Sequence, residues 1–351
     1  MGNPELAREL PSLPCFVSDA GFLTGNQMSK RSLRLGQALF CLLMLSFLPV
    51  GAAEAWLHIH GATLLLGEGS DLHLISDAGE FSITPPTPTN GGHATSPSIS
   101  PDGNLIATAY VKVPSPRNAS IPIDERLARY KEGVAVDFVR ENRWRLYGEF
   151  YNVWAVAIAP DKSRVAVIAE DSWNSPHALS LINLTTGEVS TLVGKFSGGP
   201  IRWAPDGTYL AYSVLLPLKD PHYDIREYEV HLLDLRSMDD SRVTAGVSPS
   251  WSPAGDWIAF ITNSGECAMV HPDGTGERIL VGLSRNPPWF FKRRFIGHPV
   301  WSPDSTRLLL NEDADDDTAR VLIHEFDLRT GKRKRLTGKV ALAVLAWSVN
   351  R

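Results

Sequence analysis

The sequence predicts an all-β fold, a six-bladed β-propeller whose ring is closed by N-terminal strands pairing with the C-terminal strand. Three observations carry this expectation. A proline-centred turn recurs five times at nearly constant spacing, each recurrence runs into short strand-like segments, and the two chain ends supply complementary parts of one further unit.

Each turn reads as an apolar residue, then Ser or Ala, then Pro, usually Asp, then a small or polar residue. The five are Ile99-Ser-Pro-Asp-Gly103, Ile158-Ala-Pro-Asp-Lys162, Trp203-Ala-Pro-Asp-Gly207, Trp251-Ser-Pro-Ala-Gly255 and Trp301-Ser-Pro-Asp-Ser305. Their prolines stand at 101, 160, 205, 253 and 303, a spacing suited to a propeller or solenoid repeat. Proline presets φ, an Asp such as Asp102, Asp206 or Asp304 supports the turn through its side chain, and the last residue takes the unusual φ. Trp203, Trp251 and Trp301 put a large apolar group at the end of the innermost strand, where it can pack between blades. A sixth copy, Leu345-Ala-Trp-Ser348, begins in phase at Trp347 and is cut off by the end of the chain.

The segments after the turns, such as LIATAY (105–110), RVAVIA (164–169) and YLAYSV (209–214), read as second strands. Each is followed by a hairpin, for example ALSLINL-TTGE-VSTLV (178–193) or EVHLLDL-RSMDD-SRVT (229–244), so every unit is a four-stranded antiparallel meander. Trp347 sits on an inner strand with no chain left to complete its blade. ATLLLGE (62–68), DLHLIS (71–76) and FSIT (81–84) give three strands that lack an inner one. Joined, they complete a ring of six and remove the sheet edges that would invite aggregation.

These Trp-Ser-Pro-Asp-Gly turns and the Asp-Leu-x-Thr-Gly-Lys hairpin at Asp327–Lys332 resemble the WD40-like (PD40) repeat of TolB-type β-propellers over roughly Thr63 to Arg351. The resemblance implies the fold and says little of function. TolB-type proteins carry an N-terminal α/β domain ahead of the propeller, and on this reading the residues before Thr63 do not make one.

With 34 basic and 39 acidic residues the net charge is −5, which argues against a nucleic-acid partner. Residues 28–55 join Lys30, Arg31 and Arg34 to an apolar run and an Ala53-Glu54-Ala55 site, the pattern of a secretory signal. The alternative is an uncleaved N-terminal anchor, the one membrane contact expected. Residues 1–27 read as an over-extended start and 56–351 as the propeller. The expected location is periplasmic or extracellular and the expected state a monomer. Cys267 would be the lone thiol of the processed chain, so no internal disulfide is expected.

In a four-stranded meander the 1–2 and 3–4 connections leave one end of the ring and the 2–3 and 4–1 connections the other. Here the first set is short throughout. The extra length lies in Pro114–Glu132, Glu170–His177, Leu216–Arg226, Arg285–His298 and Glu312–Thr318. Loops on a rigid scaffold carry function, so this end is expected to bind a protein or glycan partner. Within it, Trp289, Phe290 and Phe291 beside Arg293 and Arg294 suit a protein hot spot or a membrane-surface contact, or else fold inward between blades. Trp173 belongs to the same end, and Asp124–Lys131 reads as a short helix or a loop.

No cofactor or metal site is expected. Glu312–Asp317 lacks the spacing of a calcium loop and reads as a solvated hairpin tip. His58 and His60 lack a third ligand, and the basic stretch Arg329–Arg335 reads as solvated charge. No G-x-S-x-G elbow or phosphate loop is present. The alternative to a scaffold is a channel-site enzyme, a sugar lyase or lactonase-like hydrolase, whose scattered His, Asp or Glu residues a sequence does not reveal.

Overall fold

The computed structural model describes residues 62–68, 71–76, 79–83, 97–113, 131–138, 143–172, 175–196, 200–217, 227–281, 295–313, 321–336 and 343–349. All of them fall in the second of two compact units, 1–52 and 53–351. The expected signal segment, His58 and His60, and the residues expected to bind a partner (Trp173, Trp289, Phe290, Phe291, Arg293 and Arg294) lie outside the described residues.

Among the described residues there are six four-stranded antiparallel sheets and no helix. The second blade holds β4 (Ser98–Ile99), β5 (Leu105–Val113), β6 (Lys131–Phe138) and β7 (Arg143–Phe150). The third holds β8 (Asn152–Ile158), β9 (Arg164–Glu170), β10 (His177–Asn183) and β11 (Val189–Phe196). The fourth holds β12 (Arg202–Trp203), β13 (Tyr209–Leu215), β14 (Tyr228–Asp234) and β15 (Asp240–Ala245). The fifth holds β16 (Val247–Trp251), β17 (Ile258–Ile261), β18 (Cys267–Val270) and β19 (Arg278–Val281). The sixth holds β20 (Phe295–Trp301), β21 (Arg307–Asp313), β22 (Val321–Asp327) and β23 (Arg333–Arg335). The first blade is composite, with β24 (Ala343–Val349) beside β1 (Ala62–Glu68), β2 (Asp71–Ser76) and β3 (Gly79–Ile83). Its register sets Leu64 opposite Trp347 and Leu65 opposite Ala346, so the closure expected from the chain ends is present. The first strands touch in sequence, β4 to β8, β12, β16, β20, β24 and back to β4, which makes the ring.

Two-residue alternation explains the core. A blade is covered on both faces, so its middle strands read as unbroken apolar runs rather than alternating ones. On β17, Ile258 and Phe260 pack toward the fourth blade while Ala259 and Ile261 pack toward the sixth. The same division repeats around the ring, giving six apolar wedges between blades instead of one central core. The centre is left to the edges of the first strands.

The turns behave as their chemistry dictates. Gly103, Lys162, Gly207, Gly255 and Ser305, each last in its turn, have φ between +59° and +81°. Asp206 accepts from the Thr208 backbone N–H at 3.0 Å and its hydroxyl at 2.7 Å, and Asp304 accepts from Thr306 in the same way. Asp102 accepts from the Ser100 hydroxyl (2.6 Å), Asn104 and the Lys162 ammonium (2.6 Å). Burial would raise its pKa, but these donors together hold the carboxyl far below the usual range. The outer hairpins use the same device, with Asp327 accepting from Thr330 and Gly331 at φ +66°.

The tryptophans ending the first strands each face the preceding blade. Trp203 and Trp301 are buried and donate their indole N–H across the gap, to the Ala157 carbonyl and the Ser250 carbonyl, both at 2.9 Å. Trp347 is also buried, under the Arg307 guanidinium at 5.0 Å, whereas Trp251 is only partly covered.

Two local expectations are corrected. Lys131 opens strand β6 and is not the end of a helix. Glu312 belongs to β21 and not to a solvated tip: it is 7% exposed, with His324 Nε2 at 2.8 Å and Arg333 Nη2 at 3.6 Å. A peptide oxygen-rich tip would hydrate freely, but β21 runs far enough to carry this carboxylate between strands, where it needs a cationic partner.

Candidate binding site

Antiparallel pairing fixes which connections share an end of the ring. The 1–2 connections, 100–104, 159–163, 204–208, 252–257 and 302–306, lie with the short hairpin turns. The strand ends that flank 114–130, 171–176, 216–227, 282–294 and 314–320 lie at the other end, as do those that flank 84–97, a fourth-to-first connection not singled out from sequence.

Buried carboxylates tie down the strand ends beneath these longer connections. Glu132, at the start of β6, is buried and accepts the Val153 backbone N–H at 2.6 Å. Glu170, at the end of β9, takes His177 Nε2 at 2.9 Å and the Asn152 amide at 3.2 Å. Burial, and then the charges of Glu170 and Glu132, push the intervening Tyr151 hydroxyl up. The arrangement ties together four strand ends, the starts of β6, β8 and β10 and the end of β9.

The axis of the ring holds a cavity of about 510 Å³. All six first strands line it, with Ser98 and Ile99, Ala157 and Ile158, Arg202 and Trp203, Ser250 and Trp251, His298 and Val300, and Leu345 to Trp347. It opens toward the short-turn end, where Pro101, Pro160, Pro253 and Pro303 form a rim beside the Asp102–Lys162 pair. The repeat therefore sets the mouth: one proline per turn, with neighbouring turns joined by Lys162 to Asp102 and by the Ala254 N–H to the Ser305 hydroxyl.

Two ionisable side chains, Arg202 and His298, line this space together with Ser98, Ser100, Ser250 and the apolar residues. Arg202 lies among protein on every side yet remains reachable from the cavity. Desolvation lowers its pKa to about 10, which leaves it charged at neutral pH. Its Nη1 donates to the Ile201 carbonyl at 2.8 Å and its Nη2 approaches His298. His298 is 6% exposed, with Nε2 2.6 Å from the Leu345 carbonyl. A carbonyl only accepts, so Nε2 carries the hydrogen and Nδ1 accepts from Arg202 Nη2 at 2.9 Å. The shorter 2.6 Å approach of Nη2 to Nε2 joins two donors and is not a bond. Desolvation, reinforced by the Arg202 charge, holds His298 well below its usual pKa against the opposing pull of the Leu345 carbonyl. The imidazole is neutral.

Arg202 and His298 were not singled out from sequence. The signal exists: the residue before the apolar end of each first strand is Ser98, Ala157, Arg202, Ser250, Val300 and Ala346, and one of the six is charged. Among the described residues no three of His, Cys, Asp and Glu come together as a metal site.

No family model matches the chain, and no curated protein matches it. Solved structures do. A TolB crystal structure from Acinetobacter baumannii superposes with TM-score 0.55 at 14% identity, covering 82% of this chain and 66% of that one. A putative TolB from Agrobacterium tumefaciens gives 0.53 at 14% identity, covering 82% and 93%. The chain has the TolB propeller fold. At this identity the likeness concerns the fold, and the chain spans just under two-thirds of the Acinetobacter TolB.

Proposed function

We propose that the chain is an exported, monomeric binding scaffold of the cell envelope that engages a protein or glycan through the end bearing the 2–3 and 4–1 connections. The one-sided distribution of connection length carries this reading. Every 1–2 connection closes within a tight proline turn, while 84–97, 114–130, 216–227 and 282–294 all emerge from the opposite end. A rigid ring with buried anchors such as Glu132 and Glu170 beneath those connections supports presentation of a recognition surface. Export rests on the residue 28–55 pattern. Both ring nitrogens of His298 are engaged, one by Arg202 Nη2 and the other by the Leu345 carbonyl, which supports the scaffold over a channel enzyme.

The test pairs fractionation with capture. The tagged chain is expected in the envelope or exterior fraction, with a new N-terminus near Trp56. Envelope proteins or glycans retained by the wild type should be lost from a Trp289/Phe290/Phe291→Ser variant that melts at an unchanged temperature. Equal retention by both would move the binding surface elsewhere, and a cytoplasmic chain would end the export reading.

A further inference from the structure

We propose that the central cavity is a binding site for a small organic monocarboxylate, its carboxylate paired with Arg202 and its apolar body against Ile99, Ile158, Val300 and Leu345. This is a second site, on the ring axis and open at the short-turn end, and it stands independently of any partner on the longer connections.

The argument begins with charge. A guanidinium drawn out of water requires compensation, and among the described residues no carboxylate pairs with Arg202. The titratable groups lining the cavity are Arg202 and the neutral His298. The acid nearest the mouth, Asp102, is already held by Lys162 at 2.6 Å. One unit of positive charge therefore faces the cavity without a counter-charge.

Donor capacity points the same way. A guanidinium carries five N–H donors, and Arg202 commits one to the Ile201 carbonyl and one to His298. His298, fixed by the Leu345 carbonyl, holds the guanidinium in place rather than competing for an anion. Three N–H groups remain, the Nε–H and one each on Nη1 and Nη2, enough to pair with both oxygens of a planar carboxylate. The walls decide the rest. Ile99, Ile158, Val300 and Leu345 offer apolar surface in a volume of about 510 Å³, a size common for small-molecule pockets. A single cation with apolar walls matches a monoanion with an apolar body. A phosphate dianion would bring one negative charge more than the single guanidinium balances.

The experiment is calorimetric titration of the full chain with sodium benzoate, with benzamide as its neutral isostere and with inorganic phosphate. Saturable benzoate binding at one site per chain is expected, with benzamide and phosphate weaker by at least about tenfold. Arg202→Gln should lose benzoate binding by a similar factor, and Arg202→Lys should retain part of it. Should Arg202→Gln not fold, the wild-type ratio of benzoate to benzamide decides. Equal binding of the two probes, benzoate binding undiminished in Arg202→Gln, phosphate binding as tight as benzoate, or no saturable heat would each overturn the proposal. None of these outcomes touches the partner-binding test, because the two tests use different variants and different probes.

Discussion

Trp301 and Trp251 occupy equivalent places at the ends of neighbouring first strands, yet their indole N–H groups differ. Trp301 is 5% exposed, packs with Leu308, Leu310 and Phe326, and donates to the Ser250 carbonyl at 2.9 Å. Trp251 packs on the wedge containing Ile258 and Phe260, and its buried Nε1 has no hydrogen-bond partner among the described residues. Trp301→Phe keeps most of the apolar contact but removes the inter-blade bond and leaves the Ser250 carbonyl one donor short. That should cost about 1–3 kcal/mol. Trp251→Phe removes a donor that was desolvated without reward, so the smaller ring is partly offset and the cost should stay below about 1 kcal/mol. Trp301→Ala, which also opens a cavity, should cost about 3–5 kcal/mol. Urea unfolding at constant m-value gives all three. Equal costs for the two Phe variants would show that the inter-blade bond contributes nothing and that packing alone decides these positions.

Further outcomes follow from the same physics. Arg202→Met removes an uncompensated charge but leaves the Ile201 carbonyl and His298 Nδ1 without their donor, so the two effects should offset to within about 1 kcal/mol; a loss above about 3 kcal/mol in urea unfolding would show that the charge is compensated in the fold. His298 is held neutral in the fold, so the unfolded chain takes up its proton first: stability is intact above the free histidine pKa and falls as pH drops below about 6.5. His298→Gln should flatten that limb in a pH series of thermal melts, and an unchanged slope would assign it to other groups. Burial pushes the Cys267 thiol up to about 12, so peptide mapping should find it unmodified by iodoacetamide in the native protein and labelled in urea. Deleting residues 343–351 removes the partner of Leu64, Leu65 and Leu66 on β1; aggregation without a cooperative melt is expected, and a soluble, cooperatively melting product would refute the closure argument.

The fold was legible because its information is local and repeated. A Pro-Asp-Gly turn has one economical backbone path, and its recurrence at a blade's spacing fixes the number of units before any long-range contact is known. Trp347 with no chain after its strand, and ATLLLGE (62–68) with no inner strand before it, stated the closure in the same terms. The cavity site was not legible for a related reason. Its members, Arg202 and His298, lie 96 residues apart and meet only because the ring brings β12 and β20 to one axis. No spacing rule links them. Glu312 was misread because an acidic run looks solvated until strand length is known, and β21 reaches Asp313.

The two ends of the propeller answer to different constraints, and this accounts for where function can reside. At the short-turn end neighbouring turns are joined, through the Lys162–Asp102 pair and the Ser305 hydroxyl accepting the Ala254 N–H. An insertion there would separate turns that brace the ring, so length cannot accumulate. The same bracing holds the prolines back as a rim and keeps the axial cavity open, which makes that end a place for a small ligand seated among fixed groups. At the opposite end, Glu132 and Glu170 secure the strand termini from within. The connections beyond them are free to lengthen without loosening the blades, and an extended surface for a large partner can grow only there.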